Sequence, residues 1–152
     1  MIYLIGSLRN PRVPYIAKAI RDIGFNCFDD WYSPGPEADQ KWQEHEAIRG
    51  RNYCQALQGY HAKDVFQFDL YHLDHSNLGI LAMPAGKSGH LELGYLIGQG
   101  KPGYILLDQE PERWDIMTQL ATGIFYNLED LLNHLRENYD IPHTIQKEGE
   151  KL

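Results

Sequence analysis

Met83-Pro84-Ala85-Gly86-Lys87-Ser88-Gly89-His90-Leu91-Glu92-Leu93-Gly94-Tyr95 follows an apolar run, Leu78 to Met83, that only Gly79 interrupts. The apolar run reads as a buried strand, the Gly/Ser segment as a turn, and the residues beyond as a helix reaching about Gln99, ahead of Gly100-Lys101-Pro102. A strand, a small-residue loop and a helix start make an anion-binding corner, because unpaired backbone N–H groups and the helix dipole face the loop. Glu92 stands on the first turns of that helix. It is either a favourable partner for the dipole or a working carboxylate beside a bound anion.

Working outward, Ile2-Tyr3-Leu4-Ile5 is a short apolar strand ending at Gly6-Ser7. Ile16, Ala19, Ile20 and Ile23 share one helical face between Val13 and Ile23, with Gly24 as its C-cap. A strand resumes over 26–28, and Asp29-Asp30-Trp31-Tyr32-Ser33-Pro34-Gly35-Pro36 breaks the regularity as an aromatic loop. The stretch from about Gln40 to His75 reads as two helices divided near Gly50-Arg51, with a possible interruption at Gly59. Strand four covers Gly103 to Leu107, a helix is expected over Pro111 to Leu120, and a last strand over Gly123 to Tyr126. Asn127 caps a final helix through Leu128, Leu131, Leu132 and Leu135. Alternating strands and helices predict an α/β fold, a doubly wound parallel five-stranded sheet of the flavodoxin or Rossmann kind, in one domain over 1–140 with a charged tail over 141–152. Ligands of such sheets bind outside the carboxyl ends of the strands, where Ser7, the loop of Asp29 to Trp31 and the Gly86–Glu92 corner converge.

The chain has 152 residues, enough for one self-supporting core. Its net charge of −7 disfavours a nucleic-acid polymer, since no basic surplus displaces phosphate counterions, but leaves a single nucleotide open. No apolar run has membrane-spanning length. A strand starting at Ile2 leaves no room for a signal peptide, and the expected location is cytoplasmic. Cys27 and Cys54 form neither a disulfide framework nor zinc-ligand spacing, and the histidines are scattered, so no metal site is expected. Neither a Gly-x-Gly-x-x-Gly nor a Walker loop is present.

Several side chains have chemistry suited to that edge. Ser7 and Arg9 offer a hydroxyl and a two-pronged guanidinium to a phosphate, or else are a turn serine and a solvated arginine. Ser88 and Gly89 with the helix-start amides form the second candidate phosphate contact, while Lys87 and His90 read first as surface residues. Asp69, among Phe66, Phe68 and Tyr71, either faces outward or joins Glu92 as an acid/base partner, and Asp74 has an equal claim. Tyr3 is a core aromatic whose hydroxyl needs a partner, such as a carboxylate at the neighbouring strand's end. Trp31 and Tyr32 could stack a nucleobase, form a lid or make an oligomer contact.

These elements, in this order, resemble the nucleoside 2-deoxyribosyltransferase superfamily, and most closely its 2′-deoxynucleoside 5′-phosphate N-hydrolase branch. The opening strand Ile2 to Ile5 with Gly6-Ser7-Leu8-Arg9, the helix segment Phe68-Asp69-Leu70 and the element Glu92-Leu93-Gly94-Tyr95 carry the resemblance, which spans roughly 1–107. Gly86 and Asn77 stand where the family often has acids. Pro84-x-Gly86-x-x-Gly89-x-x-Glu92 is also similar to a motif of the cytokinin-activating phosphoribohydrolases, which split the same type of bond. The resemblance implies cleavage of the N-glycosidic bond of a (2′-deoxy)nucleoside 5′-monophosphate. Glu92 is then the nucleophile, Asp69 manages the proton on the leaving base, and Tyr3 holds Glu92 ionised and aimed. Gly6, Ser7, Arg9, Trp31, Gly86, Ser88 and Gly89 bind substrate. It further implies no cofactor and a homodimer. The alternatives are a nucleoside 2-deoxyribosyltransferase, a glycohydrolase of NAD or ADP-ribose compounds, and a non-catalytic nucleotide sensor.

Overall fold

The alternation of short, fully buried apolar strands with longer helices drives a layered arrangement, since a strand buried on both faces needs helices on each side. The computed structural model describes residues 1–142. Its strands are β1 (Ile2–Ile5), β2 (Cys27–Phe28), β3 (Leu78–Ala82), β4 (Gly103–Leu106) and β5 (Gly123–Phe125), and its helices are α1 (Val13–Asp22), α2 (Ala38–Ile48), α3 (Tyr53–Leu57), α4 (Tyr60–Asp74), α5 (Lys87–Gly98) and α6 (Leu128–Asn138). All strands pair in parallel, in the order β2-β1-β3-β4-β5. This is the doubly wound sheet expected from the sequence, whose strand order reverses between β1 and β3. The charged tail lies outside the described residues except for Ile141 and Pro142.

Side-chain alternation divides the core into two layers. Ile2 and Leu4 of β1 point with Ile80 and Ala82 of β3 toward α1 and α6, meeting Val13, Ile16, Ile20, Leu131 and Leu135. Tyr3 and Ile5 point the other way with Leu81, toward Leu73 of α4 and Leu93 and Leu96 of α5. The register of β1 therefore puts Tyr3 beneath the two helices that carry Asp69 and Glu92. Glycines bring α5 close to the sheet: a Cβ on Gly79 would collide with Leu96, and one on Gly103 with Leu93 and Ile97. Gly24 ends α1 at a φ of +105°, a conformation that side chains other than glycine's resist.

Three expectations need correction. The face that α1 buries is Val13, Ile16, Ala17 and Ile20 rather than one through Ala19. Pro111 to Leu120 is not an α-helix. Only Ile116–Leu120 coils, as a 3₁₀ turn started by the Asp115 carboxylate accepting the Met117 N–H at 2.9 Å. Ile116, Met117 and Leu120 stay exposed, so no buried face drives a longer helix there. The segment between 40 and 75 holds three helices, not two: the break at Gly50 is present, and Gly59 separates α3 from α4 as the N-cap of the latter. In the loop of 29–36, Asp30–Tyr32 also forms a 3₁₀ turn.

Candidate active site

The carboxyl ends of β1 and β3 open into a cleft of about 550 Å³. Gly6, Ser7 and Arg9 line it from the loop after β1, Trp31 from the loop after β2, Gly86 from the loop after β3 and Ser88 from the first turn of α5. Asp69 reaches it from α4 and Glu92 from α5. Residues up to 86 positions apart in sequence meet here because a doubly wound sheet delivers every strand–helix loop to one edge.

Gly86 is the N-cap of α5, so Glu92 stands on the second turn and not the first. The dipole acts only within the first turn, which removes the reading of Glu92 as a dipole partner. Burial, with the Asp69 charge adding to it, instead pushes the Glu92 carboxyl up from 4.5 to about 7. Burial likewise raises Asp69 to about 6. Two partly desolvated acids in one cleft titrate as a coupled pair, the charge of one raising the other.

Asp74, the rival acid on α4, does different work. It accepts hydrogen bonds from Tyr95 Oη at 2.6 Å and Gln99 Nε2 at 3.0 Å, is exposed, and is held below the usual carboxylate range by those bonds. With Lys101 Nζ donating to the Leu73 and Asp74 carbonyl oxygens, it ties the end of α4 to α5. It lies outside the cleft.

Tyr3 does not make the contact expected of it. The side chain is wholly buried and tilts against Phe28 at a centroid distance of 5.1 Å, and its hydroxyl has no hydrogen-bond partner. Desolvation, then the Glu92 and Asp69 charges, push its pKa strongly upward. A neutral phenol thus lies within electrostatic reach of both acids, without a hydrogen bond that would keep Glu92 ionised. Gly89 is also placed differently: it is buried, and a Cβ there would come within 3.0 Å of Leu81. Having no Cβ, it lets the first turn of α5 settle on the sheet, and its N–H is one of the helix-start amides.

In the loop after β1 Ser7 Oγ accepts the Arg9 N–H at 3.1 Å, which leaves the hydroxyl proton free to donate outward. Arg9 is exposed, and its guanidinium makes no ion pair or hydrogen bond among the described residues. The first amides of α5 have no capping side chain. Lys87 and His90 are not part of the lining; His90 Nδ1 donates back to the Gly86 carbonyl oxygen at 2.7 Å. Trp31 is a fixed wall, its indole N–H donating to the Leu4 carbonyl oxygen at 2.7 Å.

Sequence reasoning missed the far wall. Pro36, Ala38 and Trp42 from the start of α2, and Leu57, Val65 and Phe66 from α3 and α4, close the cleft opposite the sheet. The signal available was the apolar content of a polar segment with little amphipathic pattern; Phe66, for one, is 64% exposed and joins no core. Among the described residues no group of three or more His, Cys, Asp or Glu side chains gathers as a metal site, and no helix is long and apolar enough to cross a membrane.

No protein-family model matches the chain, and no curated protein sequence matches it significantly. Among solved structures it is similar to a 2-deoxyribosyltransferase from the psychrotolerant bacterium Bacillus psychrosaccharolyticus, with 23% sequence identity, coverage of 91% of each chain and a TM-score of 0.55. The two proteins share a fold. At that identity the likeness concerns architecture: a five-stranded parallel sheet flanked by helices, followed over nearly the whole of both chains.

Proposed function

We propose that the protein is an enzyme that cleaves the N-glycosidic bond of (2′-deoxy)nucleoside 5′-monophosphates, releasing free base and sugar phosphate. The observation that carries this reading is a pair of half-buried acids, Asp69 and Glu92, in one cleft with a hydroxyl, an unpaired guanidinium and a helix start. Two carboxyl groups flanking a glycosidic bond support double displacement at an anomeric carbon. In the reacting form Glu92 is the carboxylate and Asp69 holds the proton: Glu92 attacks C1′ and the bonding electrons of the C1′–N bond leave with the base. Asp69 gives that base its proton. Asp69, now ionised, takes a proton from water as the water attacks C1′, and Glu92 is released as carboxylate. Atoms and charges balance without a cofactor, and none is proposed.

Ser7, Arg9, Ser88 and the first amides of α5 hold the 5′-phosphate. The wall of Trp31, Trp42 and Phe66 receives the base by its flat faces. Tyr3 acts as a neutral dipole beneath the acids, in a site from which it excludes water. By resemblance the working form is a homodimer, and its expected setting is the cytoplasm.

A second reading is favoured by the fold shared with a 2-deoxyribosyltransferase: a second base, rather than water, captures the sugar. Incubation with a panel of nucleosides, their 5′-monophosphates and NAD, each with and without an added free base, tests both. Free base and sugar phosphate from monophosphates alone support the hydrolase. A new nucleoside formed from the added base supports the transferase, and absence of any base release overturns both.

A further inference from the structure

We infer that Asn10, with Arg12 beside it, is the positioning residue that fixes the distance between the two halves of the phosphate grip. This inference rests on the reading of the cleft as a nucleotide site. One half is Ser7 and Arg9 in the loop after β1, and the other is Ser88 and the start of α5 after β3. Neither half contacts the other through these groups. The link between them is made by side chains that do not line the cleft.

Asn10 is 1% exposed, and every part of its amide is in use. Its Nδ2 donates to the Ala82 and Met83 carbonyl oxygens at 3.4 and 3.3 Å, at the very end of β3. Its Oδ1 accepts the Arg12 N–H at 3.0 Å, and its own N–H donates to the Ser7 carbonyl oxygen at 3.0 Å. Arg12 Nη1 adds a donor to the same Met83 oxygen at 3.3 Å. One carbonyl thus anchors two side chains from the opposite loop, and it directly precedes the Pro84–Gly86 segment that leads into α5. Asn10 also closes the turn that presents Ser7. The backbone of Asn10 therefore closes the turn that carries one half of the grip, while its side chain holds the following Arg12 N–H and the end of β3, from which the other half is mounted.

Geometry makes this matter for phosphate more than for the rest of the substrate. An anion held from two loops is bound well only if both sets of donors stay within a few tenths of an ångström of their places, and groups positioned by buried secondary contacts hold such tolerance where free loops do not. Asp69 and the Trp42 and Phe66 part of the base wall sit on α2 and α4, and Trp31 is held separately by its bond to the Leu4 carbonyl oxygen. Loosening the link should spoil phosphate binding and leave nucleoside binding alone. An asparagine that merely stabilises the fold would alter both or neither.

The test uses calorimetric titration with a 2′-deoxynucleoside 5′-monophosphate and the matching nucleoside, in an E92A background so that the ligands stay intact. Asn10→Ala should weaken the monophosphate about tenfold and leave the nucleoside within about twofold, the size expected for losing well-placed hydrogen bonds. Arg12 is partly exposed, so its variants retain the fold even where Asn10→Ala does not. Arg12→Ala should give a smaller loss with the same selectivity, about threefold, and Arg12→Lys should restore it by returning a donor to Met83. Equal losses for both ligands, or no loss for either, overturn the inference while leaving the nucleotide reading in place. If the background protein binds the monophosphate no better than the nucleoside, the phosphate reading fails, and the inference with it.

Discussion

Asp69 and Asp74 are carried by one helix, a little over a turn apart, and their surroundings push them in opposite directions. Asp69 faces a cleft walled by Trp31, Trp42 and Phe66, and burial lifts it to about 6. Asp74 faces α5 in the open, where Tyr95 and Gln99 donate to it and hold it low. An acid surrounded by donors is a tie between helices. An acid half withdrawn from water and left without donors carries a cost that folding alone does not explain, and such costs gather where protons are moved. Helix α5 repeats the contrast: Tyr95 and Gln99 complete the tie, while Glu92 on the same helix turns inward with its own carboxyl raised.

The largest effect should come from the cleft end of that contrast. Glu92→Ala is expected to lose at least about a hundredfold in base release while remaining folded, as removal of a nucleophile does. Turnover close to normal would remove Glu92 from the mechanism. Next comes Asp69→Asn, which keeps shape and loses proton exchange: turnover should fall by about ten- to a hundredfold with little change in substrate affinity. Arg9→Ala should weaken monophosphates about ten- to a hundredfold and leave nucleosides almost unaffected, since a charge-assisted pair is worth roughly 1.5–3 kcal/mol. Equal processing of nucleosides and monophosphates by the unaltered protein would make Arg9 a solvated residue and favour the transferase.

The same contrast has a pH signature. A carboxyl whose pKa rises on folding binds its proton more tightly in the folded state, so it costs nothing below its unfolded value and costs most once the pH passes its folded value. Glu92→Gln should therefore stabilise the protein at pH 8 by about 3 kcal/mol, with the gain fading as the pH falls through about 7 toward 4.5. Thermal unfolding followed from pH 4 to 8 reads this directly, and a gain that grows toward acid pH would contradict the raised carboxyl. The smallest effect belongs to the other end of α4. Asp74→Asn keeps an acceptor for Tyr95 and Gln99 and should leave turnover within about twofold; if it exceeds Asp69→Asn, the two acids have been assigned to the wrong roles.

Much of this was legible in the sequence because it depends on local pattern. The apolar runs of β1 and β3 and the Gly/Ser turn before α5 fixed the sheet edge, and that edge brought Ser7, Arg9, Trp31, Ser88 and Glu92 into one cleft. What the sequence left open depends on rotation and depth. Whether Asp69 or Asp74 turns inward is a matter of where α4 lies against the sheet, which no spacing within α4 contains. The Tyr3 hydroxyl was expected to find an acid, but β1 is buried so fully that the ring packs against Phe28 and the hydroxyl stops short of both carboxylates. The wall from α2 and α3 escaped notice for the opposite reason: its polar composition concealed a few apolar residues that face a ligand space instead of a core.

The central claim is that the acid pair breaks a glycosidic bond in a phosphate-bearing substrate. Chromatography of the products after incubating the unaltered protein and Glu92→Gln with each common 2′-deoxynucleoside 5′-monophosphate tests it most directly. The account predicts equimolar free base and sugar phosphate from at least one substrate with the unaltered protein, and essentially none with the variant. No base from any monophosphate, or equal release by both proteins, would contradict it.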